Sequence, residues 1–218
     1  AAEKIISEFN KKERTLKDMG VSINSLLNAL MKKNEIDTHS ISHRIKESTS
    51  LARKIEKKKK YENLEDITDI LGVRIITFYS TDIDDVERII KEEFEIDYKN
   101  SIDKRKSMDP DRFGYMSLHY IVSLNRSRSK LPEYSDFSKL KFEIQIRTIL
   151  QHSWAEIEHK LGYKSNSSMP VEIRRLFSIL SGTLELVDNE FVNIKGAIYD
   201  YDKGVRDNVL NKTTDEIL

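Results

Sequence analysis

Phe142-Glu143-Ile144-Gln145-Ile146-Arg147-Thr148 is the stretch on which the fold class of this 218-residue chain turns. Side chains alternate between faces along a strand, so Leu140, Phe142, Ile144 and Ile146 point one way and Lys141, Glu143, Gln145 and Arg147 the other. One face is a core and the other a row of charge. An acid, an amide and a guanidinium at every second position would line a phosphate and metal site. A half-buried strand with a wet outer face gives the same alternation, so the neighbouring segments have to decide.

Downstream, the pattern changes to helical spacing over residues 149–161, and after Gly162 and Pro170 the remainder reads as long amphipathic helix closing on a polar segment, 207–218. Upstream, Gly114 opens a strand over 115–124, followed by a polar excursion at 125–138 rich in Ser, Arg and Lys. Residues 72–79 form a further strand. Thr81-Asp82 then starts a helix that buries Ile83, Val86, Ile89, Ile90 and Phe94, and a strand at 95–98 leads into the polar loop 100–113. At the N-terminal end, Ile5, Ile6, Phe9, Leu16 and Met19, then Ile23, Leu26, Leu27 and Leu30, recur at helical spacing, with Gly20 as a break between two helices. Residues 41–61 read as a third helix and 66–71 as a short fourth. Four strands among helices predict an α+β domain with one sheet, helix-flanked at both ends.

Lys plus Arg and Asp plus Glu both number 37, so no overall field favours DNA or a membrane surface, and any polyanion site has to come from local clustering. A chain of this length buries roughly 70% of its unfolded surface, enough for a real core. The absence of cysteine excludes disulfides and thiolate metal sites and is compatible with a reducing compartment, the cytoplasm by default. No long apolar run approaches a membrane span, and Ala1-Ala2-Glu3-Lys4-Ile5 lacks the apolar region of a signal peptide.

Three local patterns carry chemistry. On a helix from Ile41, the apolar side chains Ile41, Ile45, Ala52 and Ile55 oppose a stripe of Lys46, Ser50, Lys54 and Lys57. Such a stripe can track a polyphosphate, although a Lys-rich outer helix face is usually just a solvated one. Asp69, just before a strand that contains Arg74, would suffice with Glu143 to hold Mg²⁺, which takes one or two carboxylates plus substrate phosphates. Asp66 competes for that role, and either Asp is also a candidate helix cap. Tyr115, Ser117 and His119 share one strand face opposite Met116, Leu118, Tyr120 and Val122. A ring beside an imidazole suits base recognition, or simply a structural role on a wet face.

Several alternatives are missing from the sequence: there is no G-x-x-x-x-G-K-[ST] loop, G-x-G-x-x-G, H-E-x-x-H or closely spaced Ser, His and Asp. The histidines, His39, His43, His119, His152 and His159, include no His-Asp dipeptide, which argues against a phosphohydrolase of that type.

Taken in order, R-x-K-x-x-x-S-x-x-x-K (residues 44–54), D-x-x-G-x-R (69–74), G-Y-x-S-x-H (114–119) and E-x-Q-x-R-T (143–148) resemble the RelA/SpoT alarmone synthetases. The resemblance covers about residues 40–165 and implies a nucleotidyltransferase-like mixed sheet flanked by helices. It implies three parts: an N-terminal helical segment over 1–38, the synthetase domain over 39–165 and a C-terminal helical extension over 166–218. It also implies pyrophosphate transfer from ATP to the 3′-hydroxyl of GDP or GTP with release of AMP, in a synthetase without the hydrolase half.

Carried over residue by residue, the resemblance implies that Arg44 and Arg74 sandwich the adenine while Lys46, Ser50, Lys54 and Lys57 hold the ATP phosphates. Asp69 and Glu143 would hold Mg²⁺, with Glu143 also the base toward the attacking hydroxyl. Tyr115 would stack on the acceptor guanine, with His119, Gln145, His152 and Lys104 on the acceptor side; Arg147 is open between substrate contact and structural ion pair. Many family members carry a basic loop with Pro and Asn before Gly-Tyr, where this chain has residues 104–113, and His152 stands near the position of a guanine-contacting Asn in some relatives.

Two rivals remain at this level. Some small relatives pyrophosphorylate the 3′ end of tRNA, for which the clusters at residues 104–106 and Arg126, Arg128 and Lys130 would contact the backbone. A non-catalytic nucleotide or RNA sensor is the other, opposed by the presence of both acids. The apolar stripes of the terminal helices fit packing on the sheet, on a second subunit of a homo-oligomer or on an antitoxin partner.

Overall fold

The computed structural model describes residues 2–58, 60–103, 117–138, 140–162 and 170–215. Its elements in chain order are α1 (Ala2–Lys33), β1 (Thr38–Ile45), α2 (Ser48–Lys58), β2 (Leu71–Thr77), α3 (Ser80–Glu93), β3 (Phe94–Ile96), β4 (Ile102–Asp103), β5 (Leu118–Leu124), β6 (Phe142–Thr148), α4 (Ile149–Gly162) and α5 (Val171–Asp215), with short 3₁₀ turns at Leu64–Asp66, Arg128–Lys130 and Pro132–Phe137. The strands form one mixed sheet in the order β1-β2-β6-β5-β3, with β4 also paired to β5. Among the described strands only β2 and β6 run parallel, side by side at the centre. The α+β expectation holds, with helices at both ends of the chain and two more strands, β1 and β4, than the sequence reading supplied.

Alternation on β6 sorts as expected: Phe142, Ile144 and Ile146 are fully buried, and Glu143 and Gln145 are half-buried on the opposite face. The apolar face joins Leu71, Val73 and Ile75 of β2 and Leu118, Tyr120, Val122 and Leu124 of β5 under α1 and α3. Tyr120 is the polar exception there: its hydroxyl donates to Glu87 of α3 at 2.5 Å, and burial pushes the phenol up to about 12. Helix α1, about 48 Å long at 1.5 Å per residue, also supplies Ile5, Phe9 and Leu16 to a second cluster with Leu51 and Ile55 of α2 and with Leu64, Ile67 and Ile70.

Three local expectations are corrected. Gly20 does not break a helix; α1 runs through it. A Cβ there would lie 2.5 Å from Cδ2 of His43, so the glycine is a seat for the His43 ring. Residues 41–45 are strand, and the helix starts at Ser48. The two-residue alternation of half-buried Ile41, His43 and Ile45 with exposed Ser42 and Arg44, and the pairing with β2 from Ile45↔Leu71 to Thr38↔Thr77, override the helical spacing. Residues 66–71 do not form a helix either, because the Asp66 carboxylate accepts the backbone N–H of Glu62 and Asn63, both at 2.9 Å, and closes a 3₁₀ turn.

The polar closing segment is helical as far as Asp215. α5 is tied back at three points: Asp188 accepts the Thr148 hydroxyl at 2.7 Å, the Phe177 carbonyl accepts Trp154 Nε1 at 3.2 Å, and Lys195 pairs with Asp82 at 3.1 Å. No described helix is long and apolar enough to cross a membrane.

Candidate active site on the polar face of the sheet

Above the polar face lies a cleft of about 350 Å³ with Arg44, Lys46, Asp69, Arg74, Glu143 and Gln145 in its wall, a size ordinary for a small-molecule site. The parallel register β2 to β6 explains the grouping: Gly72 faces Glu143 and Arg74 faces Gln145, so the polar members of both strands stand in adjacent rows. β1 adds Arg44 opposite Gly72, and the link from β1 into α2 adds Lys46.

Asp69 is held from α2 and its approach. Its Oδ2 takes Lys46 Nζ at 2.9 Å and Lys54 Nζ at 2.6 Å. Burial by itself would raise this carboxyl, but the Lys54 and Lys46 hydrogen bonds outweigh it and hold Asp69 below the ordinary value. Its Oδ1 is buried without a hydrogen-bond partner among the described residues. Lys46 and Lys54 therefore meet in space, though Lys46 precedes the helix. Ser50 sits half-buried in the first turn of α2 and Lys57 exposed near its end, and neither lines the cleft.

Glu143 is held from both sides: His119 Nδ1 lies 2.8 Å from Oε1 and Gln145 Nε2 donates to Oε2 at 2.7 Å. Burial alone would raise this carboxyl too, and the His119 and Gln145 hydrogen bonds bring it below the ordinary range despite the neighbouring charge of Asp69. Behind Gln145, Arg147 donates to its Oε1. That bond fixes which way the Gln145 amide points, and Arg147 is itself buried. Asp66 is spent on its turn and does not line the cleft.

The remaining sequence candidates separate. His152 of α4 stands half-buried beside the cleft; burial, then the charges of Arg147 and Arg74, hold its imidazole below the usual value. Tyr115, Lys104 and the cluster at 104–106 lie outside the described residues. Of the second basic cluster, Arg128 is engaged with Glu93. Glu156 was missed: it lines the cleft from α4 and receives Arg74 Nη1 at 2.9 Å. Its only sequence signal is a position one helical turn after His152, which says nothing about a strand residue eighty positions earlier.

Residues 43–168 match the family model described as the region found in RelA / SpoT proteins. The chain belongs to the RelA/SpoT family. Among its RelA/SpoT relatives, the GTP pyrophosphokinase YwaC of Bacillus subtilis (strain 168) is 31% identical over 156 residues, covering 70% of this chain and 71% of that protein. Two crystal structures from Bacillus subtilis share the fold at 25% identity. Small alarmone synthetase 2 gives a TM-score of 0.72 over 87% of this chain and 99% of its own, and small alarmone synthetase 1 gives 0.70 over 88% and 99%. The matched span runs from His43 on β1 to Ser168, and so takes in Asp69, Glu143 and every residue lining the cleft except Ser42.

Proposed function

We infer that this RelA/SpoT protein is a GTP pyrophosphokinase that moves the β,γ-pyrophosphate of ATP to the 3′-hydroxyl of GDP or GTP. The observation that carries this reading is the pair of ionised carboxylates, Asp69 and Glu143, in one cleft with Arg44, Lys46 and Arg74, and with Lys54 reaching Asp69 from α2.

Nucleoside triphosphates bring three or four negative charges, and the two ammonium groups already gathered on Asp69 are the cations available to meet them. Arg44 and Arg74, on paired neighbouring strands, offer planar guanidinium faces for an adenine between them. Asp69 and Glu143 are the residues that would hold a divalent metal, and the unpartnered Oδ1 of Asp69 fits that use. We take the ion as Mg²⁺, because two carboxylates with phosphate and water suit its oxygen coordination. When bound, the ion would supply charge against the bridging and transferring phosphate oxygens.

In the reaction the acceptor 3′-oxygen forms a bond to the β-phosphorus, the bond from that phosphorus to the α-phosphate oxygen breaks, and AMP leaves. Glu143 takes the hydroxyl proton as the new bond forms. A carboxylate is a weak base at its reference value near 4.3, so its contribution depends on position. His119 and Gln145 provide that position by gripping one oxygen each. Catalysis then rests on alignment and on charge set in place before reaction.

Supplied with ATP, GDP and Mg²⁺, the protein is expected to release AMP and form a 3′-pyrophosphorylated guanosine nucleotide in equal amounts. Glu143→Gln is expected to stop both while the folded circular dichroism spectrum persists. Hydrolysis of ATP to ADP with no guanosine product would overturn the reading.

A further inference from the structure

Among the described residues three acids line the cleft, and the reaction above uses two; the third, Glu156, has no part in it. An acid beside a polyanion site is unfavourable by simple repulsion, so its presence calls for a compensating contact. Its place in the fold is specific. Two turns into α4, it reaches over β2 to Arg74, Oε1 accepting from Nη1 at 2.9 Å, with His152 Nδ1 at 3.9 Å from the same oxygen. Both contacts use Oε1, leaving Oε2 without a partner among the described residues.

Arg74 stands two residues along β2 from Gly72, which faces Glu143; at about 3.3 Å per residue this puts it some 7 Å down the strand from the level of that carboxylate. Glu156 is therefore an acceptor-only group held at the Arg74 end of the cleft, away from the lysines that meet phosphate. Adenine presents an exocyclic 6-amine, a donor, whereas a 6-oxopurine presents a carbonyl acceptor at the same position. A carboxylate accepts from the first and repels the second.

We propose that Glu156 selects the donor base: Oε1 holds the Arg74 guanidinium in place while Oε2 accepts the 6-amine of adenine, so that 6-oxopurine triphosphates are excluded as pyrophosphate donors. This rests on the pyrophosphokinase reading and names a specificity residue for it. Glu156→Gln replaces the second acceptor with an amide that also donates, and so can satisfy a 6-carbonyl.

The test compares ATP with inosine triphosphate as donor, at saturating GDP, in the full chain and in its Glu156→Gln and Glu156→Ala variants. The wild type is expected to prefer ATP in kcat/KM, and Glu156→Gln to shift the ATP to inosine triphosphate ratio by about tenfold or more toward inosine. The change should fall in the donor KM, with the KM for GDP unmoved. An equal loss for both donors in both variants would overturn the proposal, since it would reduce Glu156 to an anchor for Arg74. Calorimetric binding of the two triphosphates gives the same ratio without turnover. If the wild type transfers nothing, the pyrophosphokinase reading fails by itself, while an unchanged binding ratio in Glu156→Gln still decides against base selection.

Discussion

His119 Nδ1 lies 2.8 Å from Glu143 Oε1, a diagonal contact between neighbouring strands, since the direct partner of His119 is Gln145. An ionised carboxylate only accepts, so with Glu143 held below the ordinary range the proton of this bond belongs to His119 Nδ1. The imidazole is thus fixed in orientation, and its Nε2 is buried without a partner among the described residues.

Removing that donor is expected to move an acid limb. In His119→Ala burial still raises the Glu143 carboxyl while its largest opposing hydrogen bond is gone. The acidic limb of the pH profile of kcat/KM should shift to higher pH, and kcat at neutral pH should fall by about 10²-fold or more. An acid limb at the same pH in the variant and the wild type would count against this role.

Asp69→Asn leaves two ammonium groups, Lys46 and Lys54, without their shared acceptor charge. A loss of about 1–3 kcal/mol is expected at pH 7. Because the folded-state value of Asp69 is lowered, its contribution is fully present above the unfolded value near 3.9 and is lost as pH falls through the folded one. Denaturant midpoints of variant and wild type should therefore converge in acid.

Gly20→Ala separates local propensity from packing. In an open helix this change stabilises by about 1 kcal/mol. Here the new Cβ would meet His43 Cδ2 at 2.5 Å, and overpacking should instead cost about 1–3 kcal/mol. Thermal unfolding of Gly20→Ala, and of the same change in a His43→Ala background where the clash is removed, checks the sign.

Asp188 is 4% exposed on α5, and burial raises its carboxyl against the lowering effect of the Thr148 hydroxyl bond. The native state then holds that proton more tightly than the unfolded chain, so stability falls as pH rises through the folded value. Asp188→Asn keeps an acceptor for Thr148 and removes the buried charge. It is expected to stabilise the protein by the order of 1 kcal/mol at pH 8, with the gain vanishing near pH 4, as urea midpoints at the two pH values would report.

The parts of the fold visible in the sequence are those where local pattern and tertiary pairing agree. β6 reads correctly because its alternation has a real core beneath Phe142, Ile144 and Ile146. β1 reads as helix because Ile41 and Ile45 are four apart, and only the ladder to β2 reveals the strand. Gly20 looks like a breaker until the His43 ring is placed against it. At the site, Asp69, Glu143, Lys46 and Lys54 are legible as residue types in ordered motifs, whereas Glu156 and the grip of Arg147 on Gln145 depend on contacts that chain order does not encode.

The fate of the transferred pyrophosphate identifies the acceptor. γ-Labelled ATP offered to the Mg²⁺-supplied protein with GDP, GTP and tRNA together should place its label in guanosine tetra- or pentaphosphate, with AMP as the co-product and none of it formed by Glu143→Gln. Label in tRNA, or nucleotide binding without any transfer from ATP, would contradict the account.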